Sequence, residues 1–70
     1  MRLLITLERD ETGTIEAECP SLPGCISQGE TEIAAIENVR EAIQGCLAAR
    51  KANNLPPFAI EVREVEVEVA

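Results

Sequence analysis

The sequence has 70 residues, and its 13 acidic and six basic side chains give a net charge of −7. A chain of this length forms one domain and buries only about 60% of the surface that its unfolded state exposes, so its core is thin and self-association would help it. The acidic balance and the single aromatic residue, Phe58, argue against a nucleic-acid-binding surface, which needs basic side chains and stacking rings.

Two alternating segments predict a β-hairpin at the N-terminus. Apolar residues occupy every second position along residues 3–7 and again along 15–19, which is the pattern of half-buried strands. Gly13, in the sequence DETG, can adopt the positive φ that a turn between them requires. The polar face of this hairpin is predicted to carry three carboxylates: Glu8, Glu16 and Glu18.

The segment AECPSLPGCISQGET, residues 17–31, connects this hairpin to a helix. Pro23 and Gly24 suit the two central positions of a type II turn. A short third strand follows over residues 25–28 and breaks at Gly29. Thr31 is expected to cap the helix, because a threonine hydroxyl can accept a hydrogen bond from a free N–H of the first turn.

A long amphipathic helix is predicted from Glu32 to about Ala52. The stretch contains no proline, and Asn53 opens the sequence NNLPP that ends it. Its apolar residues recur at spacings of three and four and predict one buried stripe: Ile33, Ile36, Val39, Ile43, Cys46 and Leu47.

The final segment, FAIEVREVEVEVA, predicts a fourth strand whose apolar residues change phase. They stand at even positions up to Val62 and at odd positions afterwards, at Val65, Val67 and Val69. A straight strand cannot bury both sets on one side, because neighbouring residues point to opposite faces. Either a bulge near residues 63–64 corrects the phase, or the last six residues leave the sheet and pair with another subunit. We favour the second, with the three valines as an oligomer interface.

In this order the elements predict an α+β fold, β-β-β-α-β. Three antiparallel strands form a meander, a parallel fourth strand returns through a right-handed crossover, and the helix packs on one face of the sheet. The other face stays open and carries the glutamates. We expect one domain over residues 1–70, with no separate DNA-binding domain.

The candidate chemical groups are three cysteines and the three glutamates. Cys19, Cys25 and Cys46 have no Cys-x-x-Cys spacing and no accompanying histidine, so they are predicted to fill the core rather than to bind a metal. No catalytic motif, cofactor site or metal site is predicted. A degenerate Mg²⁺-dependent hydrolase that uses the glutamates remains an alternative. The lack of a signal peptide or a long apolar run predicts a cytoplasmic protein that does not contact membranes.

The combination ECPSLPGCISQGET, followed by ENVREAI in the helix, resembles the HicB family of small bacterial and archaeal antitoxins. The resemblance covers residues 14–50. It implies a partial ribonuclease-H-like fold that lacks the nuclease active site, and a partner, a small basic ribonuclease toxin of the HicA type, which the antitoxin blocks. We therefore expect a non-catalytic homodimer or larger assembly that neutralises such a toxin. An orphan module that self-assembles or binds another protein is the alternative.

Overall fold

The computed structural model describes all 70 residues and contains three short strands followed by one long helix. The strands form one antiparallel sheet in the order β1-β2-β3. The elements are β1 (Thr6–Arg9), β2 (Ile15–Glu18), β3 (Ile26–Gly29) and α1 (Glu32–Ala52). The α+β class, the three-stranded meander and the following helix are thus confirmed, whereas the single chain does not form the fourth parallel strand.

The turn between β1 and β2 is organised by Asp10. One carboxylate oxygen of Asp10 accepts hydrogen bonds from the Thr12 hydroxyl at 2.7 Å, the Thr12 N–H at 2.8 Å and the Thr14 N–H at 3.0 Å. Gly13 has a φ of 88°, the positive angle that the sequence predicts for this turn. The hydrogen bond from the Thr12 hydroxyl contributes most to lowering the pKa of Asp10, because these donors favour the charged carboxylate.

The connection between β2 and β3 contains the predicted type II turn. Gly24 has a φ of 85°, and the Cys25 N–H donates to the Leu22 carbonyl at 3.0 Å. Pro20 falls opposite Leu4 if the pairing of β1 with β2 is continued, and proline has no N–H to donate. The ladder therefore begins only at Thr6, although the alternating sequence predicts a longer first strand.

The helix begins and ends where the sequence predicts. The Thr31 hydroxyl accepts a hydrogen bond from the Ala34 N–H at 3.1 Å and caps the first turn. At the other end Asn54 adopts a left-handed φ of 56°, and the Leu55 N–H donates to the Arg50 carbonyl at 2.8 Å. The left-handed conformation of Asn54 brings the Leu55 N–H to a free carbonyl of the last turn and ends the helix.

The first turns of α1 lie almost in contact with the backbone of β3. A Cβ atom at Gly29 would stand 2.5 Å from the Ala35 nitrogen, so only glycine fits there. Ala35 is completely buried, whereas Ile33, predicted to belong to the buried stripe, is 73% exposed. The contact leaves no room for a larger side chain, and the helix turns its small residues toward the sheet.

The core is small, as the chain length predicts. Only eight of the 70 residues are buried. One cluster joins the sheet to the helix and contains Ile15, Ala17, Ala35 and Val39. A second cluster, in the connection between β2 and β3, contains Cys19, Leu22 and Cys25.

The C-terminal segment is extended and carries no strand. Phe58 packs against the second cluster, and the N–H groups of Ala59 and Ile60 lie 3.3 Å from the Ser21 carbonyl. Residues 63–70, which we name the tail, are exposed throughout and make no backbone hydrogen bond. The radius of gyration is 13.8 Å, against about 11 Å for a compact chain of this length. The tail therefore extends away from the body of the domain.

Exchanging two glycines for alanine tests the close contact of the helix with β3. We expect Gly29→Ala to lower the free energy of unfolding by about 1–3 kcal/mol, because the added methyl group collides with backbone atoms. Gly45 has no atom within 4 Å of an added Cβ, so Gly45→Ala should stabilise the exposed helix by about 0.5–1 kcal/mol. Urea denaturation of both variants measures the two effects. Equal changes in the free energy of unfolding of the two variants would contradict the close contact between α1 and β3.

The turn at Asp10 should make stability sensitive to acid. Because the folded pKa of Asp10 is lowered from 3.8, its contribution is complete above the unfolded pKa and is lost as pH falls below about 4 and through the folded value. An NMR titration of the Asp10 carboxyl should give a midpoint below 3.8. Thr12→Val removes the strongest donor and should raise that midpoint. An unchanged midpoint would contradict the assignment.

Candidate functional site

The sheet face opposite α1 carries the three predicted glutamates, and we name this surface the acidic face. In the register of the sheet Glu8 of β1 lies directly opposite Glu16 of β2. Glu18 lies two residues further along β2 and therefore points to the same side. Glu8 and Glu16 are exposed and Glu18 is half-buried. The structure thus brings the three side chains together on an open surface.

No basic side chain forms an ion pair with the glutamates of the acidic face. The single ion pair of the structure joins Arg63 to Glu61, outside the sheet. Like charges directly opposite each other on neighbouring strands destabilise a sheet by a few tenths to about 1 kcal/mol. The pair formed by Glu8 and Glu16 therefore reduces stability without an internal compensation.

The hairpin end of the acidic face is slightly concave. This depression has a volume of about 390 Å³ and contains no hydrophobic residue. Its lining residues are Glu8, Arg9, Asp10, Glu11, Thr14, Glu16 and Gln28. Four of them are acidic and one is basic, so the depression carries a net negative charge.

The glutamates do not converge as metal ligands do. A two-metal hydrolytic site needs several carboxylates around ions about 3.5–4 Å apart. The structure contains no group of three or more acidic, histidine or cysteine side chains close enough to hold a metal ion. The glutamates of the acidic face are therefore not arranged as a metal site.

The three cysteines meet in the second core cluster. Cys19 and Cys25 are buried, and Cys46 of α1 packs against them. All three are free thiols. Burial raises the pKa of the Cys25 thiol to about 12, and its hydrogen bond with Cys46 adds to this effect. A thiol that stays protonated is a poor nucleophile and metal ligand, so the cluster serves packing.

An apolar groove, which the sequence analysis missed, opens between α1 and the N-terminal segment. It has a volume of about 470 Å³ and forms because α1 lies mainly over β2 and β3 and covers the same face of residues 3–7 only in part. Leu3 and Ile5 are half-buried against the core clusters, and Leu7, next to the groove residue Ile5 on this face, is 40% exposed. We name this surface the apolar groove; its lining residues are Met1, Leu3, Ile5, Ile36, Val39, Arg40, Ile43, Gln44 and Leu47.

The predicted oligomer residues lie in the tail. Val65, Val67 and Val69 are 79%, 77% and 93% exposed. They contact neither the core nor the apolar groove. The single chain thus exposes both an apolar groove and a row of apolar side chains.

The helix α1 does not have a segment apolar enough to cross a lipid bilayer.

Comparison with known proteins finds relatives in archaea and bacteria. The chain is 38% identical over 68 residues to a UPF0150 protein of Archaeoglobus fulgidus, and the match covers 97% of each chain. It is 35% identical over 54 residues to a UPF0150 protein of Thermoplasma acidophilum, covering 77% of this chain and 78% of the relative. A UPF0150 protein of Synechocystis is 46% identical over 43 residues, 61% of this chain and 62% of the relative. No family model and no solved structure matches the chain.

The buried thiol predicts a loss of stability at alkaline pH. A raised folded pKa means that the contribution of Cys25 is complete below the unfolded value near 9.0 and is lost as pH rises toward about 12. The free energy of unfolding should fall above about pH 9, by at most about 1.4 kcal/mol per pH unit for one proton. Cys25→Ala should flatten the dependence in urea denaturation, and an equally steep slope in that variant would contradict the assignment.

Proposed function

The chain belongs to the UPF0150 family, and from this starting point we propose that it is a non-catalytic antitoxin-like protein that binds a small basic ribonuclease of the HicA type. The family name assigns no activity. The proposal is supported by the acidic face and by the resemblance of residues 14–50 to HicB antitoxins. The antitoxin would cover the basic surface of the ribonuclease and keep RNA from reaching it.

The observation that carries the proposal is the uncompensated charge of the acidic face. Glu8 and Glu16 lie side by side on paired strands, where each raises the energy of the other. Local features that cost stability without serving the fold are expected at functional sites. A basic partner would supply the missing counter-charges and turn this repulsion into binding energy.

The rest of the chain supports binding rather than catalysis. The glutamates are not grouped as metal ligands, and burial raises the pKa of the Cys25 thiol, which disfavours the reactive thiolate. Inhibition by covering a surface needs only shape and charge. A chain with one small core can supply both.

Charge complementarity would also raise the rate at which the chain associates with the ribonuclease. With a net charge of −7, the chain attracts a basic protein over distances of about a Debye length, near 8 Å at physiological salt. Such steering can raise the association rate constant from about 10⁵–10⁶ M⁻¹s⁻¹ toward 10⁸ M⁻¹s⁻¹ or more. A toxin would be captured soon after its synthesis in the cytoplasm, where we place the action of both proteins.

The proposal includes the parallel fourth strand of a partial ribonuclease-H-like fold. Residues 60–62 and residues 2–4 line the same crevice, together with Ser21 and Phe58. From this position the C-terminal segment could pair with the N-terminal one once an assembly orders both. The fourth strand would then form in the complex and not in the single chain.

Two double variants with equal changes in charge test the role of the acidic face. Glu8→Gln with Glu16→Gln should weaken binding to a purified HicA-type ribonuclease by about tenfold or more, because two facing charges are lost. Glu37→Gln with Glu41→Gln removes two neighbouring exposed charges from α1 and should change the affinity by less than about threefold. Titration calorimetry at low and high salt measures both, and the unchanged chain should bind less tightly at high salt.

The first double variant should remain folded, since it relieves repulsion and cannot lower stability by that route. Equal weakening by both variants would mean that only net charge matters and would contradict a defined acidic face. Failure of the unchanged chain to bind at low salt would contradict the antitoxin role. RNA cleavage with Mg²⁺ that disappears in Glu16→Gln would favour the hydrolase instead.

A further inference from the structure

We propose that two copies of this chain exchange their tails. The tail of one chain adds as a strand to the outer edge of β1 in a second chain, and its three valines cover the apolar groove of that chain. The second tail does the same in return. This inference does not depend on the ribonuclease partner, because it concerns the chain alone.

The tail has the chemistry of a strand without a partner. Its residues alternate Val65, Val67 and Val69 with three glutamates, so a strand formed here has one apolar and one charged side. β-Branched residues favour strands. None of the tail's backbone groups is hydrogen-bonded to another backbone group, and the three valines are more than three-quarters exposed.

The outer edge of β1 is the free edge of the sheet. The other outer strand, β3, is already engaged, because the Asn38 side chain donates to the Gln28 carbonyl at 2.8 Å and the first turns of α1 lie against Gly29. β1 has no neighbour beyond it, and residues 1–5 make no backbone hydrogen bond. An unpaired edge of this kind is a template for a strand from another chain.

The apolar groove lies on the side of β1 where the valines are needed. A strand added to β1 directs alternate side chains toward α1 and toward the acidic face. With the valines on the side of α1, they contact the uncovered groove beside Ile5 and Leu7. The tail's glutamates then extend the acidic face. The valines of the tail therefore pack against the apolar groove, and the glutamates of the tail stay exposed to water.

The phase of the C-terminal segment explains why the tail must act on a second copy. Phe58 packs against the core and Val62 is half-buried, so these two even positions face inward, whereas Ile60 between them is 48% exposed. If the segment continued straight along its own β1, Glu64 and Glu66 would face the apolar groove and the valines would face water. A tail that arrives from another chain is free of this constraint.

The size of the exchange fits a stable dimer. A symmetric dimer contains the contact between tail and groove twice, because each chain is donor in one contact and acceptor in the other. The eight residues of the tail and the nine that line the groove approach the roughly 20–30 residues a side of a standard interface. A domain with eight buried residues gains much from such an exchange.

The mass and affinity of the dimer test the proposal on the full chain. Sedimentation equilibrium should give twice the mass of the 7.6 kDa chain at high concentration. Val65→Thr, Val67→Thr and Val69→Thr together keep the β-branched shape and should raise the dimer dissociation constant by about tenfold or more. The matched control, Glu64→Gln, Glu66→Gln and Glu68→Gln, changes the other side of the same strand and should leave the dimer intact or tighten it.

A groove variant identifies the acceptor. Gln44 is exposed and lines the groove, so Gln44→Glu should preserve the helical circular dichroism and weaken the dimer. When the groove variant is mixed with the valine variant, the intact tail of the former meets the intact groove of the latter. The mixture should therefore form heterodimers more tightly than either variant forms homodimers.

Three results would overturn the exchange: a monomer at all concentrations, a dimer unaffected by the threonine substitutions, or no recovery in the mixture. The last would indicate that the two tails pair with each other instead. Salt separates this test from that of the proposed function. The dimer, in which glutamates extend an acidic face, should tighten at high salt, whereas binding of a basic ribonuclease should weaken.

Discussion

The contact between the first turns of α1 and the backbone of β3 determines the remaining structure. Because Gly29 has no side chain, the helix approaches until the Ala35 nitrogen would stand 2.5 Å from any Cβ placed there. This position fixes the helix over β2 and β3. Two surfaces follow from it, since the opposite side of the sheet has no cover and the helix side of the N-terminal segment is left with an open groove.

The two surfaces differ in chemistry and therefore in the partner that suits them. The acidic face offers charge without a counter-charge, which favours a basic macromolecule and rapid capture. The apolar groove exposes apolar surface, which favours a partner with apolar side chains that dissociates slowly. One helix placed off the centre of a three-stranded sheet thus gives a 70-residue chain two separate exposed surfaces of different chemistry.

The elements predicted correctly are those that local chemistry determines. The Thr31 cap, the left-handed glycines at 13 and 24, and the strand alternation each depend on residues close in sequence. The identity of the buried helix residues depends on which side of the helix faces the sheet. Ile33 suited the periodic pattern, but Ala35, on the opposite side of the helix, faces the sheet and is buried, and Ile33 is 73% exposed.

The features of the candidate site also divide into those that local sequence predicts and those that depend on how the elements pack. The common side of Glu8, Glu16 and Glu18 follows from strand alternation and was predictable. The apolar groove was not, because it arises from where the helix lies across the sheet. The meeting of Cys46 with Cys25 also depends on that placement. The tail's change of phase was visible in the sequence, and in the structure the tail does not pair with its own sheet.

The small core has a thermodynamic consequence. The heat-capacity change on unfolding grows with the apolar area that becomes exposed, and eight buried residues hide little of it. A small heat-capacity change flattens the dependence of stability on temperature, so the isolated domain would resist cold almost as well as moderate warmth. The same limited area makes its response to urea shallow and its melting broad.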